Sequence, residues 1–137
     1  MLKKDTAKPL RIMVVEDNEA VRKQICALLT RHPEFEVISE AENGLEAVRQ
    51  AEKLKPDVVV LDISMPILGG IEASAKIRRV APKARIVFLS QHESGRVAQT
   101  ALATGALAYV VKSAATRDLV LAVQAAAQGK TFLSQLK

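Results

Sequence analysis

The sequence predicts an α/β fold, a parallel sheet wound on both faces by helices. Short apolar runs alternate with stretches of helical period five times along the chain. The central runs, Val58–Leu61 and Ile86–Leu89, are apolar without interruption, as strands covered on both faces must be. A third observation concerns position: Glu16, Asp17, Asp62, Ser90 and Lys112 each stand where an apolar run ends. In one parallel sheet these five groups meet at the carboxyl edge, where open α/β folds bind their ligands.

Leu10–Val15 is short, apolar and β-branched, and reads as the first strand. Asn18 caps a helix running to about Thr30, with Val21, Ile25, Leu28 and Leu29 on one face. Arg31-His32-Pro33 ends it, because a residue before proline resists helical geometry. Glu36–Ser39 is an edge-like strand with Val37 inward. Asn43-Gly44 turns into a helix over Leu45–Leu54, with Leu45, Val48, Ala51 and Leu54 expected inward. Val58–Leu61 follows as a central strand. Gly69-Gly70 precedes a helix from Ile71 to about Arg79, and Pro82 breaks the chain before the strand Arg85–Leu89. Gly95–Ala103 is helical and stops at Gly105, a left-handed cap. Ala106–Val111 is the fifth strand and Thr116–Gln128 the fifth helix, closed by Gly129. Two helices should cover one face of the sheet and three the other. In the tail, Phe132 and Leu133 are expected to dock back on the domain.

Composition narrows the function. A chain of 137 residues, 49% of them hydrophobic, makes one domain and argues against disorder. The lone Cys26 lies in a helical pattern and reads as a small buried hydrophobe in an intracellular protein. Met1–Pro9 is polar and basic, with no apolar signal core, and no run is long enough to span a membrane. The charge of +5 points weakly to nucleic acid: Lys3, Lys4 and Lys8 fall in an expected flexible tail over residues 1–8, and Lys76, Arg78, Arg79, Lys83 and Arg85 cluster at a helix end. One tyrosine and three phenylalanines offer little for stacking on bases.

The acidic residues carry the chemistry. Glu16, Asp17 and Asp62 crowd like charges, and a divalent cation, Lys112 or loop amides must compensate them. Oxygen-only ligands suit a hard ion such as Mg²⁺, and no histidine or thiol pattern suits zinc. Asp62 is the candidate nucleophile toward a phosphoryl group, with the cation, Lys112 and the Ser90 hydroxyl each relieving one developing oxygen charge.

The stretches Val14-Val15-Glu16-Asp17-Asn18, Pro56 through Pro66, Gly69-Gly70, Leu89-Ser90 and Ala108-Tyr109-Val110-Val111-Lys112 resemble the receiver domain of bacterial two-component response regulators. The resemblance covers residues 9–130 and is strongest toward regulators with a C-terminal LuxR-type helix-turn-helix. It implies the flavodoxin-like strand order 2-1-3-4-5. It implies that Asp62 accepts a phosphoryl group from a sensor histidine kinase and that Mg²⁺ sits on Asp17, Asp62, Glu16 through water and the backbone carbonyl of Ser64. Ser90 and Tyr109 would be the switch residues and Lys112 the lysine of the site. The resemblance also implies self-phosphorylation from small donors and self-dephosphorylation, not ordinary turnover. The switched surface would be residues 93–104, Ala106–Val111 and Thr116–Gln128, a possible homodimer face. DNA would be reached through a C-terminal domain beyond this chain, with residues 131–137 as tail or start of a linker, and the setting would be the cytoplasm.

Three residues depart from the commonest pattern of that family. Ser113 follows Lys112 where many members have proline, which leaves the isomer of that bond open, and Gln91 and His92 follow the switch hydroxyl. Two other functions fit the same fold. An aspartyl-nucleophile phosphatase of another α/β family would want a second acid two residues after Asp62, where Ser64 stands. A module binding partners without phosphorylation would not need all five polar groups.

Overall fold

The computed structural model describes residues 8–136. The expected basic tail over residues 1–8 therefore lies outside the described residues apart from Lys8. The strands are β1 (Leu10–Val15), β2 (Phe35–Ala41), β3 (Val58–Asp62), β4 (Arg85–Ser90), β5 (Ala108–Val111) and β6 (Phe132–Leu133). The helices are α1 (Glu19–Thr30), α2 (Gly44–Leu54), α3 (Gly70–Val80), α4 (Gly95–Leu102) and α5 (Ala115–Ala127), with a 3₁₀ turn at Lys112–Ala114. All pairings are parallel, in the order β2-β1-β3-β4-β5-β6. The expected order 2-1-3-4-5 is present, and the chain adds the two-residue β6 beside β5.

The helix starts follow the sequence chemistry. Asn18 Oδ1 accepts from Val21 N–H and Asn43 Oδ1 from Glu46 N–H, each satisfying an amide that the helix leaves open. At the other end of α2 the Arg11 guanidinium donates to the carbonyls of Leu54 and Lys55. Arg85 does the same for α5, reaching the carbonyls of Ala126 and Ala127. Arg85 is thus engaged in capping, which takes one cation from the basic cluster read as a nucleic-acid feature.

The two faces of the sheet are packed differently. Three helices, α2, α3 and α4, cover one face largely through alanine: Ala47, Ala51, Ala73, Ala98 and Ala101 are buried against Met13, Val59, Leu61 and Phe88. On the other face α1 and α5 lay Ile25, Leu29, Leu119 and Val123 over Ile12, Val14, Val60 and Val110. The two-and-three distribution is as expected.

Leu45 and Leu133 correct the sequence reading. Leu45 was expected inward and is 44% exposed. The inward stripe of α2 is instead Gly44, Ala47 and Ala51. Gly44 lies so close to the Leu68 backbone that a side chain there would collide with it. That approach fixes the rotation of α2 and turns the next residue out. Leu133 is 49% exposed, while Phe132, Ser134 and Leu136 are the tail residues that dock. Among the described residues no helix is long and apolar enough to cross a membrane.

Candidate functional site

Parallel strands bring their carboxyl ends to one edge, and the expected site residues assemble there. Glu16 and Asp17 follow β1, Asp62 ends β3, Ser90 ends β4 and Lys112 follows β5. Glu16, Asp17 and Asp62 each place a carboxylate oxygen within 4.8 Å of the others, with Glu16 and Asp62 buried and Asp17 exposed. Lys112 Nζ lies 2.8 Å from Glu16 Oε1 and 3.2 Å from Asp62 Oδ2, so one ammonium bridges the two buried acids.

Each acid is held by backbone as well. Asn18 N–H donates to Glu16 Oε2 at 3.0 Å, and Ser64 N–H donates to Asp62 Oδ1 at 3.2 Å. Glu16 Oε1 is buried and is met by the Lys112 ammonium at 2.8 Å. Two buried carboxylates sharing one ammonium, with Asp17 close by, keep an excess of negative charge that a further cation would offset. Three converging carboxylates with oxygen donors alone suit a hard divalent ion.

The charges shift one another. Burial and the Glu16 charge push the Asp62 carboxyl up to about 6, against the pull of Lys112 and the Ser64 amide. Burial pulls the Lys112 ammonium down, but its contacts with Glu16 and Asp62 outweigh that and hold it above the ordinary lysine value. An acid with a raised folded-state pKa adds stability below its unfolded value, and that stability is lost as pH rises through the folded value. For Asp62 in metal-free protein the window runs from about pH 4 to pH 6. Asp62→Asn should therefore stabilise the EDTA-treated protein at pH 7 by about 1–2 kcal/mol, after allowance for solvent screening. Urea midpoints of both proteins across that window should diverge as pH rises; parallel curves would contradict the shift.

Ser90 and Tyr109 hold the same residue. Ser90 Oγ accepts from His92 N–H at 3.0 Å, and the fully buried Tyr109 donates its hydroxyl to the His92 carbonyl at 2.7 Å. The Tyr109 ring is thus inward. The side chains of Gln91 and His92 are both exposed, so His92 takes part through its backbone. Sequence reasoning missed that role, because a backbone contact leaves no mark in residue type. It also missed Arg22, which is buried and donates to the Glu16 carbonyl at 2.9 Å and to Glu40 at 3.0 Å. Here a signal existed: Arg22 shares the inward stripe with Ile25 and Leu29. The Lys112–Ser113 bond is trans. Burial, with the Glu40 charge, pushes the half-buried Cys26 thiol up to about 11, in keeping with an inert residue.

An acidic cup bridged by a lysine stands at the carboxyl edge of a doubly wound parallel sheet, where open α/β folds bind their ligands. The family model described as the response regulator receiver domain matches residues 12–124, and the chain belongs to that family. It is 36% identical over 129 residues to the nitrate/nitrite response regulator protein NarL of Escherichia coli, covering 93% of this chain and 59% of NarL. A two-component response regulator of the LuxR family from an Aurantimonas species superposes with a TM-score of 0.88 at 37% identity, over 93% of this chain and 91% of that one. A Borrelia burgdorferi complex of CheX, CheY, BeF3 and Mg superposes with a TM-score of 0.81 at 27% identity, over 89% and 92%. The chain spans 52% to 59% of the length of the curated relatives it matches.

Proposed function

We propose that this domain accepts a phosphoryl group on Asp62 from the phosphohistidine of a sensor histidine kinase in the cytoplasm, and that the modification resets the surface formed by α4, β5 and α5. The observation that carries the reading is the Lys112 bridge between the buried Glu16 and Asp62, with the exposed Asp17 carboxylate beside them. The site has charge of both signs where a phosphoryl group must be received.

An Asp62 carboxylate oxygen attacks phosphorus, a P–O bond forms, and the P–N bond to the donor imidazole breaks. The imidazole keeps the bonding pair and takes a proton from solvent. Lys112 stays at the site to pair with the equatorial oxygens, and Ser90, whose Oγ accepts from His92, gives its own O–H to another. Asp17, Asp62, Glu16 through water and the Ser64 carbonyl would hold Mg²⁺, which when bound supplies charge neutralisation at the third oxygen. The relative captured with BeF3 and Mg supports that assignment.

Phosphorylation adds roughly one and a half to two negative charges at the sheet edge. Drawing Ser90 toward them acts on His92, and so on the anchor of the Tyr109 hydroxyl. Bistable packing of that loop is the element the charge biases, and the changed surface serves a second copy or an output domain. As in LuxR-type regulators, residues 9–130 would be the receiver, and DNA would be reached through a domain following the tail.

Incubation with acetyl phosphate and Mg²⁺ should add the mass of one phosphoryl group, and EDTA should abolish the gain. Peptide mapping should place it on Asp62. A gain that persists in Asp62→Ala overturns the assignment.

A further inference from the structure

The chain end beyond β6 makes a polar contact that the phosphoacceptor scheme leaves unused. Ser134 N–H continues the β6 ladder by donating to the Tyr109 carbonyl at 2.9 Å. Past that point the described residues make no further strand pairing, and the Ser134 side chain takes its place. Its Oγ accepts from Val111 N–H at 3.1 Å and donates to Asp118 Oδ2 at 2.7 Å. Ser134 is 1% exposed and Asp118 is buried, with its other oxygen held by Arg117 at 2.9 Å. Burying two polar side chains is tolerable because every bond is made, and breaking one leaves a buried group unpaired.

The position of this contact gives it a consequence. Val111 is the last residue of β5, and Lys112 follows it. Asp118 lies in the first turn of α5, on the far side of the three-residue turn Lys112–Ala114. One hydroxyl therefore ties both flanks of the turn that carries the site lysine. Val111 is also the register partner of Ser90 across the β4–β5 pair. Ser134 thus sits two strands out from the Ser90 hydroxyl, with β5 between them, and bonds the amide of the residue before the lysine.

We propose that Ser134 and Asp118 are positioning residues for Lys112, and that their clasp couples phosphoryl transfer at Asp62 to the path of the chain after β6. The proposal rests on the phosphoacceptor reading above. Coupling of this kind is reciprocal: whatever factor the clasp adds to binding at the site, an occupied site adds to the clasp.

Two measurements on the full chain test it. In the first, Mg²⁺-dependent labelling by acetyl phosphate is followed by intact mass over a range of donor concentrations. Ser134→Ala should lower the maximal rate about fivefold, in the range of one lost hydrogen bond, with half-saturating donor unchanged, because Lys112 acts on the transferring group. Asp118→Asn should show the same split, and Ser134→Thr, which keeps the hydroxyl, should restore the rate. A folded Ser134→Ala protein labelled at the wild-type rate overturns the proposal and leaves the phosphoacceptor reading intact. A wild-type protein that takes no label overturns both. The second measurement needs no variant. Hydrogen exchange at the Val111 and Ser134 amides should change when beryllofluoride and Mg²⁺ are added. Unchanged exchange there, with protection gained around Asp62, overturns the coupling.

Discussion

Replacing Lys112 by methionine is expected to unsettle the metal-free protein on the order of 3 kcal/mol and to slow phosphoryl labelling about a hundredfold or more. The ammonium lies 2.8 Å from Glu16 Oε1 and 3.2 Å from Asp62 Oδ2, and among the described residues no other cation pairs with both. Without it two buried carboxylates face one another in poor solvation. Asp62 recovers part of the loss by taking a proton, since its carboxyl already stands near 6. Removing the cation raises that value further, so the cost grows as pH rises through it. Added Mg²⁺ should stabilise the variant more than the wild type, because an ion among the carboxylates restores the missing charge. Urea midpoints of both proteins, with EDTA and with Mg²⁺, check this; equal midpoints in EDTA would show that the bridge does not hold the edge together.

Gly70→Ala should be the most damaging conservative change at the site, costing about 3 kcal/mol or more. Gly70 opens α3, and its N–H donates to the Ile63 carbonyl at 2.8 Å. A Cβ there would strike the Asp62 carbonyl oxygen and lie 2.7 Å from Ile63 Cα. Both are backbone atoms of the segment that carries Asp62, and neither can rotate away as a side chain would. The substitution must therefore move either α3 or Asp62. Gly69→Ala is the internal control: its Cβ would meet the Ile63 carbonyl oxygen at 3.6 Å, an ordinary contact, and should cost less than about 1 kcal/mol. Comparable denaturation midpoints for the two variants would contradict the steric account.

Much of this was legible before any coordinates. The first five strands and all five helices lie close to their expected places, because uninterrupted apolar runs such as Val58–Leu61 and caps such as Asn18 and Asn43 are local signals. The five polar groups could be gathered at one edge because parallel pairing forces it. What escaped depends on contacts between distant segments. Leu45 faces out because Gly44 presses on Leu68, a contact between the start of α2 and the loop before α3 that periodicity within α2 cannot contain. β6 is two residues long, too short for any alternation to show, and exists because β5 offers a free edge. Arg22 and Asp118 were visible as charges on inward stripes, yet a charge on a stripe reads as noise until its partners, the Glu16 carbonyl and Ser134, are known.

The alanine-lined side of the sheet limits how this molecule can diversify. Ala47, Ala51, Ala73 and Ala101 have no accessible surface, so any larger residue there must force a helix away from the strands. Glycine is the smaller choice, and it weakens the helices. Lineages that retune signalling speed therefore have little freedom on that side and must vary the loops at the rim or the branched residues under α1 and α5.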